Sequence, residues 1–243
     1  MRVSHTIRGR VSLIKYLANL GYGSRREVAA LVAARQVTTA DGRVLRDGDA
    51  WQHDSLRIAG EAPDPAPGSV ILLHKPVGYV CSTKDAPPLV YELMPTRFLK
   101  RSPVMATVGR LDRDTSGLLL LTDNGALNHR LTSPRAHLPK MYRVTLAADL
   151  DGSEGALFAS GSMMLSGEDT PLAPAALAVI DSRTAELTIT EGRYHQVRRM
   201  FAAVGNHVNL LHRAAIGDLS LGELTAGAWR LLSDTECVLL QPR

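Results

Sequence analysis

Cysteine is nearly missing from this chain: Cys81 and Cys237 are the only two in 243 residues. They lie far apart and lack metal-ligand spacing, which argues against a structural disulfide or a zinc site and favours incidental thiols in a reducing cytoplasm. Long apolar runs are missing as well. No stretch approaches the roughly 20 residues needed to span a bilayer. The first residues, Met1-Arg2-Val3-Ser4-His5, lack the apolar region of a secretory signal. No membrane partner is therefore expected, and a cytoplasmic location is. The chain also has no P-loop, no dinucleotide fingerprint and no cluster of His and Cys ligands, which removes several enzyme classes and leaves no cofactor and no metal expected.

What is present is ordinary in amount and uneven in placement. Hydrophobic residues make up 45% and charged residues 21%, as in a folded globular protein with a real core. Net charge is +4. Residues 1–60 carry ten Lys and Arg against five Asp and Glu, a net of +5, so the remaining 18 and 19 leave residues 61–243 at −1. All of the excess positive charge lies in the first quarter, as expected of a segment that meets a polyanion, although a solvated basic face is the plain alternative.

Within that quarter, Leu13, Ile14, Leu17 and Leu20 recur at helical spacing. Ser24-Arg25-Arg26-Glu27 reads as a capping box opening a second helix with Val28, Leu31 and Val32 on its apolar stripe. Val37-Thr38-Thr39 and Arg43-Val44-Leu45, separated by Asp41-Gly42, predict a hairpin, and a further strand is expected through Leu56 and Ile58. Residues 61–68, within the Pro-, Ala- and Gly-rich run from Ala59 to Gly68, predict a semi-rigid extended spacer and a domain boundary. Beyond it, Ser69–His74 predicts a buried strand stopped by Lys75-Pro76. Residues 140–146, 175–180 and 183–190 predict three more strands, and residues 151–174 a small helix and a loop with little chemistry. Val197, Met200, Phe201 and Val204 form a core stripe of a helix ending at Gly205. No internal repeat is visible.

The chain is organised around Val108–Gly125. Polar and charged residues sit in a predicted loop that ends at Gly117, before Leu118-Leu119-Leu120-Leu121. So short a leucine run fits either a fully buried strand or a core helix segment. Such a placement holds Arg110 and Asp112 rigidly, which suits reactive groups; an Asp-rich turn before a strand is the bland alternative. This stretch resembles the active-site motif of the RsuA-type pseudouridine synthases. So do His74–Thr83, Lys140-Met141-Tyr142-Arg143-Val144 and Glu191–Asn206, four blocks in family order over most of the chain.

The resemblance implies an α+β fold: a small S4-like RNA-binding domain over 8–60 and, over 69–243, a catalytic domain whose mixed, mainly antiparallel sheet is flanked by helices. It implies isomerisation of a uridine within RNA to pseudouridine, in which C1′–N1 breaks, the base turns and C1′–C5 forms, with no cofactor. By position in the motifs, Asp112 is the catalytic carboxylate, acting either covalently or as a base. Tyr142 is the active-site tyrosine, and Arg198 is the basic residue that pairs with that carboxylate. Arg110 displaces the base or fills its space, or else shapes the loop through a salt bridge. Leu211 is the apolar floor, while Asp114 only shapes the loop. Arg25, Arg26, Arg35 and Arg199 are the expected RNA contacts, and Arg130 and Arg135 flank a further stretch that can face RNA. His195 reads as structural or RNA-binding. The short S4-like start, the His74–Thr83 block, Ser133-Pro134-Arg135 before Lys140 and the short stretch after Trp229, without a long basic tail, place the resemblance nearest the enzymes of 16S ribosomal RNA, with naked RNA or an assembly intermediate as partner and a monomer expected. The alternatives are the same chemistry on 23S RNA or tRNA, and a non-catalytic ribosome-assembly factor.

Overall fold

The computed structural model describes residues 11–83, 85–133 and 136–240. Residues 8–10 of the expected N-terminal unit, together with Pro134 and Arg135, lie outside the described residues. The chain begins with helix α1 (Leu13–Asn19) and helix α2 (Arg25–Ala33). Ser24 Oγ accepts the Glu27 N–H and Glu27 Oε2 accepts the Ser24 N–H, closing the capping box that opens α2. Leu13, Leu17, Leu20 and Val28 are buried against Leu45, Leu56 and Ile58 in a small core of their own.

The expected hairpin forms as a short antiparallel pairing about the Asp41-Gly42 turn: the Gly42 N–H is donated to Thr39 O, the Thr39 N–H to Arg43 O and the Leu45 N–H to Val37 O, and Thr38 bridges Val44. Strand β1 (Val37–Thr39) also pairs antiparallel with β2 (Leu56–Ile58), the further strand expected there. The hairpin stays short. Asp47 Oδ1 accepts from Ser12 Oγ at 2.8 Å and from the Ile14 N–H at 3.2 Å, drawing the chain to the start of α1.

Residues 62–66 carry no helix or strand, a turn follows at Pro67-Gly68 with the Ser69 N–H donated to Ala66 O, and the segment is pinned. The Asp64 N–H is donated to Tyr22 Oη at 2.8 Å, and the Asp64 carboxylate pairs with Arg97. Arg101 is buried; it donates to Pro65 O at 2.9 Å and to Asp123 Oδ2 at 2.6 Å, and Asp123 Oδ1 accepts the Gly68 N–H. The Ser102 N–H reaches Asn19 O, and at Gly21 a Cβ would lie 2.2 Å from Arg97 O. The two ends of the spacer are therefore held by one set of arginines.

The rest of the chain builds one sheet from β3 (Val70–Lys75), β4 (Ala106–Val108), β5 (Thr115–Thr122), β6 (Lys140–Leu146), β7 (Ala176–Val179), β8 (Thr184–Ile189), β9 (Val208–Ile216), β10 (Leu219–Ser220) and β11 (Trp229–Leu231). Helices α3 (Gly125–Thr132), α4 (Glu154–Ala159), α5 (Gln196–Ala203) and α6 (Asp234–Val238) interrupt it. The strand order is β11-β3-β5-β9-β6-β8-β7, with β4 on β5 and β10 on β9. Only β5 and β9 run parallel, so the fold is α+β with a mixed, mainly antiparallel sheet. The leucine run is strand, since successive residues serve opposite faces. Leu119 and Leu121 join Ile71, Leu73, Phe158 and Phe201 in one core. Leu118 and Leu120 join Val70, Leu72, Leu131 and Ile216 in the other. A leucine buried this fully stabilises the fold by about 1.5–3 kcal/mol.

Gly117 near the start of β5 and its β3 partner Lys75 depart from expectation. The polar loop ends at Asp114, and Gly117 lies inside the strand, facing Arg213 in the parallel register with β9. Its φ is +115°, and a Cβ there would meet Arg213 O at 2.3 Å. Lys75 does not stop β3 but ends it, fully buried, with Nζ donating to Thr115 O at 2.7 Å and to Pro76 O at 3.0 Å.

Gly117→Ala forces both a left-handed alanine and a backbone collision, and is expected to destabilise the protein by about 2–5 kcal/mol, read as a lower urea midpoint. Lys75→Met keeps the volume and removes the donor to Thr115 O, for an expected loss of about 1–3 kcal/mol in the same titration.

Candidate active site

The segment between β4 and β5 carries Asp112 and is held by its carbonyls. The Gly78 N–H donates to Arg113 O at 2.6 Å, Arg198 Nη2 to Asp114 O at 3.2 Å, and Lys75 Nζ to Thr115 O. Three consecutive carbonyls are thus fixed by three separate parts of the chain: the turn after β3, helix α5, and the end of β3. Arg113 returns a bond from Nε to Gly78 O at 3.1 Å. Burial pushes the Lys75 ammonium pKa down, an effect opposed by nearby Cys81, Asp114 and Asp112.

So held, the Asp112 side chain is about one-third exposed and lines a cavity of about 760 Å³. Tyr142 and Lys140 from β6, Leu211 and Arg213 from β9, and Arg110 from the same loop line it too. Tyr142 and Leu211 are buried. Register places Tyr142 opposite Arg213, whose Nη1 lies 3.4 Å from Tyr142 Oη while its Nε donates to Leu118 O at 2.8 Å. The buried Nη2 of Arg213 has no hydrogen-bond partner among the described residues. Burial, then the positive charge of Arg213, lower the pKa of Lys140. The cavity is lined by the carboxylates of Asp112, Glu168 and Glu191 and, on another side, by the cations Arg213 and Lys140, an arrangement that can hold a neutral ring and balance charge developing on it.

Some expected roles change partners. Arg198 was assigned by motif to Asp112, but its ion pair is with Asp114 Oδ2 at 2.8 Å. Helix α5 brings its guanidinium to the end of the loop, where it also donates to Val208 O, so it braces the loop. The group nearest the Asp112 carboxylate is His195, with Nε2 3.4 Å from Oδ1. Arg199 does not face RNA freely. It donates to Glu168 Oε1 at 2.7 Å, Ser166 O at 2.6 Å and Tyr194 O at 3.1 Å. Glu168 also takes Arg193, and the two arginines hold its pKa low, so residues 151–174 carry more chemistry than expected. Arg110 is exposed, with no ion-pair partner among the described residues, which removes the salt-bridge alternative there. Arg25, Arg26 and Arg35 are exposed far along the chain from the cavity, Arg25 and Arg26 on the first turn of α2.

Sequence reasoning missed Lys75, Lys140, Glu168 and Arg213 as site residues. Lys75 and Arg213 left a faint signal, each being the one Lys, Arg, Asp or Glu of its strand. Glu168 left none, since its segment has no pattern. Among the described residues no group of three or more His, Cys, Asp or Glu could hold a metal ion, and no helix is long and apolar enough to cross a membrane. Both cysteines are free.

Known proteins match this architecture along nearly its whole length. The family described as RNA pseudouridylate synthase matches residues 69–203. The ribosomal small subunit pseudouridine synthase A of Pasteurella multocida is 42% identical over 229 residues, covering 92% of this chain and 97% of the relative. Its namesake from Escherichia coli strain K12 is 40% identical, covering 86% and 93%. A solved crystal structure of a pseudouridylate synthase superposes with a TM-score of 0.67 at 37% identity, covering 95% of this chain and all of that one. With a braced aspartate and a buried tyrosine in one cavity, and with relatives matched almost end to end, the chain belongs to the RNA pseudouridylate synthase family.

Proposed function

We propose that this enzyme converts a uridine of small-subunit (16S) ribosomal RNA to pseudouridine, with Asp112 as the catalytic carboxylate. The observation that carries the site assignment is the convergence on Asp112. The three carbonyls that follow it, of Arg113, Asp114 and Thr115, are held by three parts of the chain, and Asp112 lines the cavity that contains Tyr142. The target is supported by relatives about 40% identical that are named for the ribosomal small subunit. The reacting atoms of a stacked uridine are out of reach, so the nucleotide must swing into the cavity. Tyr142 then offers a ring face and Leu211 an apolar floor, and Arg110, free of an ion pair, fills the gap left in the RNA. Arg198 acts at one remove, by holding the loop. The C1′–N1 bond breaks as Asp112 either takes up C1′ or removes a sugar proton; C5 of the turned base then closes on C1′, Asp112 is released or the sugar proton returned, and the C5 proton is lost while N1 gains one.

Residues 8–60 are proposed as an S4-like RNA-binding domain joined through residues 61–68 to a catalytic domain over 69–243. The separate core of the first unit and the exposed Arg25, Arg26 and Arg35 support it, because cations on a surface helix follow phosphates without reading bases. The free thiols suit the cytoplasm as the proposed compartment.

Mapping pseudouridine in ribosomal RNA from cells with and without the gene is expected to show loss at one 16S position. Loss in 23S RNA or tRNA would move the target, and no loss anywhere would favour an assembly factor. Asp112→Asn is expected to abolish turnover while leaving RNA affinity within several-fold; substantial residual turnover would overturn the assignment. Replacing Arg25, Arg26 and Arg35 together by alanine is expected to flatten the dependence of log affinity on log salt by about 2, and an unchanged slope would remove these residues from the RNA contact.

A further inference from the structure

The Tyr194–His195 step stands out beside Asp112. All eleven Phe, Trp and Tyr residues are described, and Tyr194 alone is exposed, at 70%. Its ring stacks on that of His195, with centroids 3.9 Å apart and planes 15° from parallel. His195 in turn sits 3.4 Å from the Asp112 carboxylate. Both rings line the mouth of the cavity. One face of Tyr194 is covered by the histidine, so its exposure belongs to the other face and the edge.

The backbone that displays this pair is strained and held. His195 has φ +49°, a left-handed conformation uncommon outside glycine, and at the start of α5 its side chain makes no capping bond in return. The turn is tied on both sides. Arg193 donates to Thr170 O and Pro171 O, and Arg199 Nη1 to Tyr194 O. A fixed, strained turn that spends its one exposed aromatic ring on solvent gains nothing for folding, and strain of this kind collects where a ligand is gripped.

Resting on the synthase reading above, we propose that the open face of Tyr194 is a stacking platform for the base next to the target uridine in the RNA. When the uridine turns into the cavity, its neighbour loses a stacking partner. Tyr194 lies at the cavity mouth and replaces it, extending a column of base, tyrosine and histidine that ends at Asp112. Every base has a π-face, so the platform favours a flipped geometry and not a particular sequence.

The test is a cycle of protein and RNA changes on ribosomal RNA assembled with a synthetic segment, abasic at the position 5′ or 3′ of the target. Tyr194→Ala is expected to raise KM about five- to a hundred-fold, with the effect on KM and not kcat, and Tyr194→Phe to restore it. One abasic position is expected to weaken the unaltered protein by a similar factor and Tyr194→Ala scarcely further. An unchanged KM in Tyr194→Ala, or abasic penalties that persist undiminished in that variant, would overturn the platform. If the unaltered protein leaves the intact uridine unmodified, the target reading fails instead, so the two failures are told apart.

Discussion

Everything at the cavity depends on the fixing of three adjacent carbonyl oxygens, those of Arg113, Asp114 and Thr115. A loop rich in Asp, Arg and Gly has many conformations in water, and a carboxylate on it would sample as many positions. Donors from the turn after β3, from α5 and from a buried lysine reduce that freedom. They do so through backbone atoms, leaving the Asp112 carboxylate clear of the bracing. Lysine is an expensive choice for the third donor, since desolvating an ammonium costs several kcal/mol. The negative charge of Asp112 and Asp114 nearby offsets part of that cost.

The same strand start sets the far wall. Gly117 lets β9 approach β5 more closely than any side chain would allow, and β9 carries Leu211 and Arg213. Strand β6 lies against β9 and brings Tyr142 and Lys140. Bracing of the carboxylate and closeness of the wall thus share one short piece of β5. The gathering of Arg213, Lys140 and Lys75 around it is not what stability alone would select, and departures of this kind mark working sites.

Much of this was legible in the residues. The capping box at Ser24, the strand alternation at Tyr142 and the apolar stripe of α5 are local patterns, and each formed where spacing put it. Two of the four motif blocks supply Arg110, Asp112 and Tyr142 to one cavity, which Leu211, outside the blocks, also lines. What escaped was non-local. Arg198 and Arg199 are adjacent in sequence, and only the packing of α5 against the Asp114 loop and the Glu168 segment decides which acid each meets. The ladder at the Asp41-Gly42 turn forms but stays short, because Asp47 draws the chain to a helix over thirty residues earlier. Gly117 read as a loop end because the close approach of β9 comes from residues nearly a hundred positions later.

The pinned stretch from Asp64 to Gly68 has its own consequence. Arg97 and Arg101 fasten it to both flanking units, so the helix bearing Arg25 and Arg26 does not swing on a tether. On the proposed reading, in which the α2 arginines meet phosphate and the cavity takes one nucleotide, the molecule is a caliper with locked jaws. Such a device would select an RNA by the span between its grip point and its pliable uridine, a measurement of length that requires no letter of its sequence to be read.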